Sequence, residues 1–169
     1  MRKIVLFIAS SLDGFIARED GGIDWLFSDG DYGYSKFFKS VDTVIMGRKT
    51  YEVSLTFGDY PYNGKKVYVF TRKKSIRPDG NAEFVSDPVS LCKKLKKLPG
   101  KNIWLVGGSE IVSVLINAGL VDEIILSTHP IILGSGIPLF NCIKKEIKMR
   151  LVKSVKFGSG LLQAHYVVL

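Results

Sequence analysis

With 169 residues, 46% of them hydrophobic and 24% charged, the chain suits one soluble domain with a sizeable core. No apolar run reaches the roughly 20 residues that a membrane helix needs. The formal net charge of +8 comes without a nucleic-acid module or a basic segment interleaved with exposed aromatics. It reads as a field that attracts phosphorylated small molecules rather than nucleic acid.

Two cations at Arg2 and Lys3 precede an apolar run, as in a secretory leader, but the run Ile4–Ala9 is only six residues and is β-branched. It continues into Ser10, Ser11 and Asp13, so a buried strand over 3–9 and a cytoplasmic protein are expected. A Gly-rich loop with Asp13-Gly14 and Asp20-Gly21-Gly22 follows. A helix is predicted over 31–40 with Tyr34, Phe37 and Phe38 on its apolar side, then a strand over 42–46 and a short helix over 48–55. The Pro/Gly/Asn-rich loop 58–64 leads to a strand over 67–71. A short strand at 83–86 precedes a helix started at Asp87-Pro88, where aspartate caps and proline suits the first turn. Its apolar positions Leu91, Cys92, Leu95 and Leu98 leave Lys93 to Lys97 as a solvated lysine face. A strand over 102–106 and a helix over 108–118 come next, with Gly119 as the stop.

The last third changes character. A strand over 122–129 ends at Pro130 and the turn-rich Gly134–Pro138. Segments 150–156 and 161–169 alternate polar and apolar residues on either side of Phe157-Gly-Ser-Gly160, a β-hairpin pattern. The expected product is a mixed, mostly parallel sheet with helices on both faces and an antiparallel hairpin at its end.

Two junctions in this order carry chemistry. Val44-Ile-Met-Gly-Arg-Lys-Thr-Tyr51 and Ile103-Trp-Leu-Val-Gly-Gly-Ser-Glu110 each run from a buried strand through glycine into a helix. Glycine allows close approach of a ligand, and the following helix presents unpaired N–H groups and the positive end of its dipole. Arg48 and Lys49 would add full charges. Two such junctions suggest one long polyanion, and a dinucleotide is the natural candidate. Cys92 and Cys142 lack any partner spacing and read as isolated reduced thiols. His129 and His165 have no companion ligands, and neither HxE nor CxxC occurs, which argues against a zinc hydrolase or deaminase.

These motifs carry a resemblance. Residues 44–51, Val106-Gly-Gly-Ser-Glu110 and Ser11-Leu-Asp-Gly-Phe-Ile-Ala17 resemble the dihydrofolate reductase fold, a three-layer α/β/α architecture. Ala118-Gly-Leu-Val-Asp-Glu123 followed by Pro130-Ile-Ile-Leu-Gly-Ser-Gly-Ile-Pro-Leu-Phe140 resembles, more specifically, the reductase domain of bacterial riboflavin biosynthesis. The resemblance spans roughly residues 4–168 in one domain and implies an NADPH-dependent reductase. It places Gly47, Arg48, Lys49 and Thr50 at the diphosphate and the adenosine 2′-phosphate, with Thr71 and Arg72 also holding that phosphate. Val106, Gly107 and Gly108 would pass under the nicotinamide and diphosphate, with Ser109 and Glu110 opening the next helix. The family's Gly-Gly bond is cis, and the same is implied here. Ala9 would sit beside nicotinamide and substrate. Ser11–Ala17, with Asp13 and Ala17, resembles the mobile loop that closes over the reacting centre, and Trp25 resembles the tryptophan after it.

The resemblance also implies a proton donor, since reduction of a carbon–nitrogen double bond leaves charge on nitrogen. Asp31 lies sixteen residues before Gly47 and six after Trp25, the family's carboxylate position. Asp29 and Asp13 are neighbouring candidates, and helix capping is the alternative role for Asp29 or Asp31. Two departures bear on the substrate. The folate-tail arginine falls near Lys65 or Lys66, and lysine lacks the fork that grips a carboxylate. The Asp-x-His-x-Leu-Arg-like stretch of the riboflavin reductases reads Tyr32-Gly-Tyr-Ser-Lys-Phe-Phe-Lys39, without the histidine or the arginine. A 5-amino-6-(5-phosphoribosylamino)uracil reductase-like activity on a heterocyclic or imine-like substrate is therefore the leading expectation. A catalytically silent NADPH-binding protein, dihydrofolate reductase proper and a basic nucleic-acid binder are the alternatives. A homodimer is expected by analogy, through the apolar C-terminal strands and the segment 130–140.

Overall fold

The structure, a computed structural model, describes residues 1–73 and 80–169. Lys74, part of the basic cluster 72–74, lies outside the described residues. One eight-stranded sheet organises the chain. Its strands are β1 (Ile4–Ser10), β3 (Val41–Gly47), β4 (Lys66–Phe70), β5 (Glu83–Val85), β6 (Asn102–Gly107), β7 (Glu123–Thr128), β9 (Met149–Lys156) and β10 (Leu162–Val168). Their order is β5-β4-β3-β6-β1-β7-β10-β9. All pairings from β5 to β7 are parallel, and β7-β10-β9 closes the sheet with antiparallel ladders.

The strand pattern explains the layering. In β1, Ile4 and Leu6 face one core and Val5 the other, as period-2 alternation requires of a strand buried on both sides. Helices α3 (Pro88–Lys97) and α4 (Ser109–Asn117) cover the first face through Cys92, Leu95, Val112 and Leu115. Helices α1 (Tyr34–Ser40) and α2 (Arg48–Ser54) cover the second through Phe37 and Tyr51, around the hub of Trp104. Asp87 caps α3 by accepting from Ser90 N–H, with Pro88 at its first turn, as the sequence indicates. No helix among the described residues is long and apolar enough to cross a membrane.

Four expectations are corrected. Helix α1 starts at Tyr34 rather than 31, because Tyr32 (φ 46) and Gly33 (φ 81) hold the left-handed region just before it. The segment 11–17 is not a free loop. Residues Phe15–Ala17 form a strand, β2, paired antiparallel with β8 (Ile137–Pro138), and Leu139 N–H donates to the Gly14 carbonyl at 2.8 Å. The lysine face of α3 is broken at Lys96. Its Nζ donates to Asp122 Oδ1 (2.7 Å), Asp122 Oδ2 (2.6 Å) and the Leu120 carbonyl (3.2 Å). Leu98, read as apolar core, is exposed.

Candidate active site

The two glycine junctions meet. Strands β3 and β6 are parallel neighbours with Met46 opposite Gly107, so both chains turn into their helices at the same end of the sheet. A Cβ on Gly47 would lie 3.8 Å from Gly108 N and 3.9 Å from Gly107 O. The Gly107–Gly108 peptide is cis. A Cβ on Gly108 would come within 3.3 Å of Thr50 Oγ1, which brings α2 against the second bend. On the other side, Ile8 packs against Gly107. Gly47 and Gly108 are half-buried and Gly107 is buried, with Ile8, Thr50 and Ile111 the side chains that a Cβ on these glycines would meet.

The neighbouring polar groups divide into free and engaged. Ser109 Oγ, at the first residue of α4, is buried with no hydrogen-bond partner. A buried hydroxyl is rarely left in this state unless a ligand or water completes it. Lys49 is exposed. Arg48 pairs with Glu52 one turn along α2, and Arg72 pairs with Glu110 in the first turn of α4. Thr71 N–H donates to the Val85 carbonyl, and Thr71 Oγ1 accepts from Lys73 N–H at 3.1 Å. Val106 is half-buried on the face shared with α1 and α2.

The second half of the site lies across β1. Ala9 is paired with Ser127, and the Ser10 carbonyl accepts from His129 N–H at 2.8 Å. Trp25 is buried, its Nε1–H lacks a partner, and its ring stands edge-on to His129 at 5.2 Å. His129 Nε2 accepts from Phe27 N–H at 3.2 Å, so the ring carries its proton on Nδ1. Burial lowers the His129 pKa, against an opposing pull from the Ser127 and Ser10 carbonyls. Gln163 on β10 donates from Nε2 to the Tyr32 carbonyl (2.9 Å) and to Ser127 Oγ (3.0 Å). It thereby ties the hairpin to the segment entering α1. Sequence reasoning gave His129 and Gln163 no role in the site. The available signal was only that His129 follows the carboxyl end of a parallel strand, where ligand crevices form.

The carboxylates are bound to local structure. Asp31 Oδ1 accepts from Ser35 N–H at 2.9 Å and from Ser35 Oγ, and those bonds hold its carboxyl below the usual carboxylate range. It is exposed and caps α1 from outside the helix. Asp29 accepts from Tyr32 OH at 2.6 Å and caps nothing. Asp13 accepts from Ser11 Oγ (2.7 Å), Leu133 N–H (3.1 Å) and Gly134 N–H (2.8 Å), which lowers its pKa, chiefly through Ser11. Asp13 therefore clamps the first loop to the loop before β8. The Ala17 carbonyl lies against Gly136, where a Cβ would stand only 2.3 Å away. Lys65 turns inward: its Nζ donates to the Phe38 and Val41 carbonyls, both at 2.8 Å, at the end of α1. Among the described residues, no group of three or more His, Cys, Asp or Glu side chains could hold a metal ion.

A mostly parallel sheet sandwiched by helices, with adjoining glycine bends at its carboxyl edge and an antiparallel hairpin at its end, defines a three-layer α/β protein of the dihydrofolate reductase-like class. Comparison with known proteins gives the particular family. The chain belongs to the RibD C-terminal domain family, whose model matches residues 2–163. It is 45% identical over 171 residues to the YwjB protein of Bacillus subtilis (strain 168), covering 98% of each chain. The crystal structure of a Shewanella sp. PV-4 protein assigned to riboflavin biosynthesis matches with a TM-score of 0.87 at 29% identity, over 99% of both chains. Dihydrofolate reductase from Enterococcus faecalis, complexed with NADP(H), shares the fold with a TM-score of 0.75 at 18% identity, over 98% of this chain and 96% of that one. The family is one of riboflavin-biosynthesis and dihydrofolate reductase-like reductases.

Proposed function

We propose that this chain is an NADPH-dependent reductase acting on a heterocyclic or imine-like substrate. The observation that carries the reading is the meeting of the Gly47 and Gly107–Gly108 bends beside the unpartnered Ser109 hydroxyl. Those groups fit a dinucleotide. Gly47 and Gly108, both half-buried, leave backbone open to a diphosphate, with Gly107 buried beneath them, and the N-terminus of α4 favours its charge. Arg48, Lys49, Thr50, Thr71 and Arg72 flank the same edge and suit an adenosine 2′-phosphate. Bound there, the cofactor would supply hydride.

The remaining residues prepare the other half of the site. Ala9 and Val106 present small or half-buried surface beside the bends. Trp25 Nε1–H offers a buried donor to a substrate or water oxygen. The pairing of β2 with β8, together with the Asp13 clamp, holds the first loop close to β1 and limits water access. Asp31, with its lowered pKa, carries charge and no proton at neutral pH. It can orient α1 or a cationic substrate, but as it stands it makes a poor acid. That observation also supports the second reading, a nucleotide-binding protein without turnover.

The first test is titration of intrinsic fluorescence with NADPH, with Trp25 and Trp104 as reporters. Saturable quenching is expected, and no binding at millimolar cofactor would end the reading. NADPH oxidation with pterin and pyrimidine substrates then separates the enzyme from the silent binder. We further propose a homodimer that uses the exposed apolar residues Met149, Leu151 and Val152 of edge strand β9. Light scattering should give twice the chain mass of 18.8 kDa, and a monomer at high concentration would remove the proposal.

A further inference from the structure

The cation that best matches a phosphate at this edge is already engaged. Arg72 follows the end of β4 and pairs with Glu110, in the first turn of α4. The strands that deliver these residues are not neighbours, since β3 lies between β4 and β6. The pair therefore crosses the end of β3, where Gly47 opens into α2. Both side chains are largely exposed, 84% for Arg72 and 75% for Glu110, so packing does not hold them there.

Glu110 also sits where an anion is favoured. Helix α4 has nine residues, and a carboxylate in its first turn interacts well with the helix dipole. The residue before it, Ser109, carries the buried hydroxyl with no partner. Among the other cations nearby, Arg48 is held by Glu52, while Lys49 and Lys73 are exposed. Glu110 thus supplies a negative charge at the mouth of a site built for negative charge, and it does so through an arginine that reaches across the end of β3.

We propose that the Arg72–Glu110 pair is a displaceable strap that makes Glu110 a determinant of cofactor choice: a 2′-phosphate takes Arg72 from Glu110, and a 2′-hydroxyl does not. The inference rests on the NADPH reading above. A phosphate dianion matches the planar fork of arginine with several acceptor oxygens, so it outcompetes a single carboxylate. A hydroxyl has no charge with which to compete. NADH therefore leaves the strap closed and meets a carboxylate that Arg72 neutralises, whereas NADPH must first break the pair. An exposed ion pair is weak enough to open readily, which limits its effect to about fivefold in affinity.

The test measures NADPH and NADH affinity by fluorescence for the wild type, Arg72→Gln, Glu110→Gln and the double variant, with melting curves to verify folding. Glu110→Gln is expected to tighten NADPH about three- to fivefold and NADH clearly less. Arg72→Gln should weaken NADPH about tenfold and leave NADH within about twofold. In the Arg72→Gln background, Glu110→Gln should no longer favour one nucleotide over the other. Weaker NADPH binding by Glu110→Gln would overturn the proposal, because Glu110 would then be orienting Arg72 for the phosphate. Equal tightening of both nucleotides would also overturn it, since that is plain repulsion, and so would no change at all. If the wild type binds neither nucleotide, the cofactor reading itself fails and the strap falls with it.

Discussion

Gly47→Ala would separate folding from the proposed cofactor binding. Gly47 has φ −77 and ψ 157, which alanine adopts freely. Its Cβ would meet Gly108 N and Ile111 Cγ2 at 3.8 Å and Gly107 O at 3.9 Å, all ordinary contacts. As the N-cap of α2, glycine is preferred over alanine by roughly 0.5–1 kcal/mol. Replacing it stiffens the unfolded chain, which returns about 0.4–1 kcal/mol. The two effects cancel to within about 0.5 kcal/mol, or roughly 1–2 °C in Tm for a chain of this size. The new methyl nonetheless stands in the gap between the two bends. If the diphosphate uses that gap, NADPH affinity should fall at least tenfold, about 1.4 kcal/mol. Thermal melts and a fluorescence titration on one preparation give both numbers. Wild-type affinity in a stable variant would show that the cofactor does not enter between the bends, and a fall of 10 °C or more in Tm would mean they pack more tightly than described.

Three further outcomes follow from the same contacts. Lys96→Met strips the Asp122 carboxylate of its cation while one-third of that side chain remains solvated, so a cost of about 2–3 kcal/mol and a Tm lowered by roughly 5–10 °C are expected; chemical denaturation showing under about 1 kcal/mol would contradict it. His129 is held below its ordinary value near 6.5, so the unfolded chain takes up the proton first, and stability should be full above that pH and decline on acidification below it. His129→Gln can still accept from Phe27 N–H and should flatten the decline; a pH–stability profile identical to wild type would rule out His129 as its source. Asp31→Asn keeps an acceptor for Ser35 N–H and should melt like the wild type, whereas Asp31→Ala should melt lower. Lost turnover in Asp31→Asn with unchanged melting would instead place the carboxylate in the chemistry.

The parallel half of the fold was legible because its signals are local. The short continuous apolar run from Ile4 marks a strand buried on both faces, and Asp87-Pro88 marks a helix start. Gly47 and Gly107 close two such strands, so both bends are legible from the sequence alone. What escaped reading depends on partners distant in sequence. The β2 strand has three residues and exists through Asp13 bonding to Leu133 and Gly134 and through Gly136 lying under Ala17. The helical pattern puts Lys96 on the solvated lysine face, because nothing local shows that Asp122 waits beside it. Asp31 was legible as a cap or a catalyst, and its bonds to Ser35 explain why sequence could not separate the two.

Strand β1 joins the halves of the site, and its register explains the polar residues it buries. On one side it pairs with β6 through Leu6 and Leu105, which brings Ile8 under Gly107. On the other it pairs with β7 through Ala9 and Ser127, which brings His129 N–H to the Ser10 carbonyl. Two parallel ladders on one strand fix the distance between the glycine bends and the end of β7, where His129 receives Trp25 from the loop between β2 and α1. Ser10 and Ser11 are buried at this seam, with Ser11 Oγ accepting from Phe15 N–H and donating to Asp13. A larger apolar residue at Ser11 would lose those bonds and push the first loop away from β1. The seam thus requires a small polar residue at Ser11 as the second bend requires glycine at Gly107, whose φ of 133 excludes a side chain: each leaves room at the carboxyl end of β1.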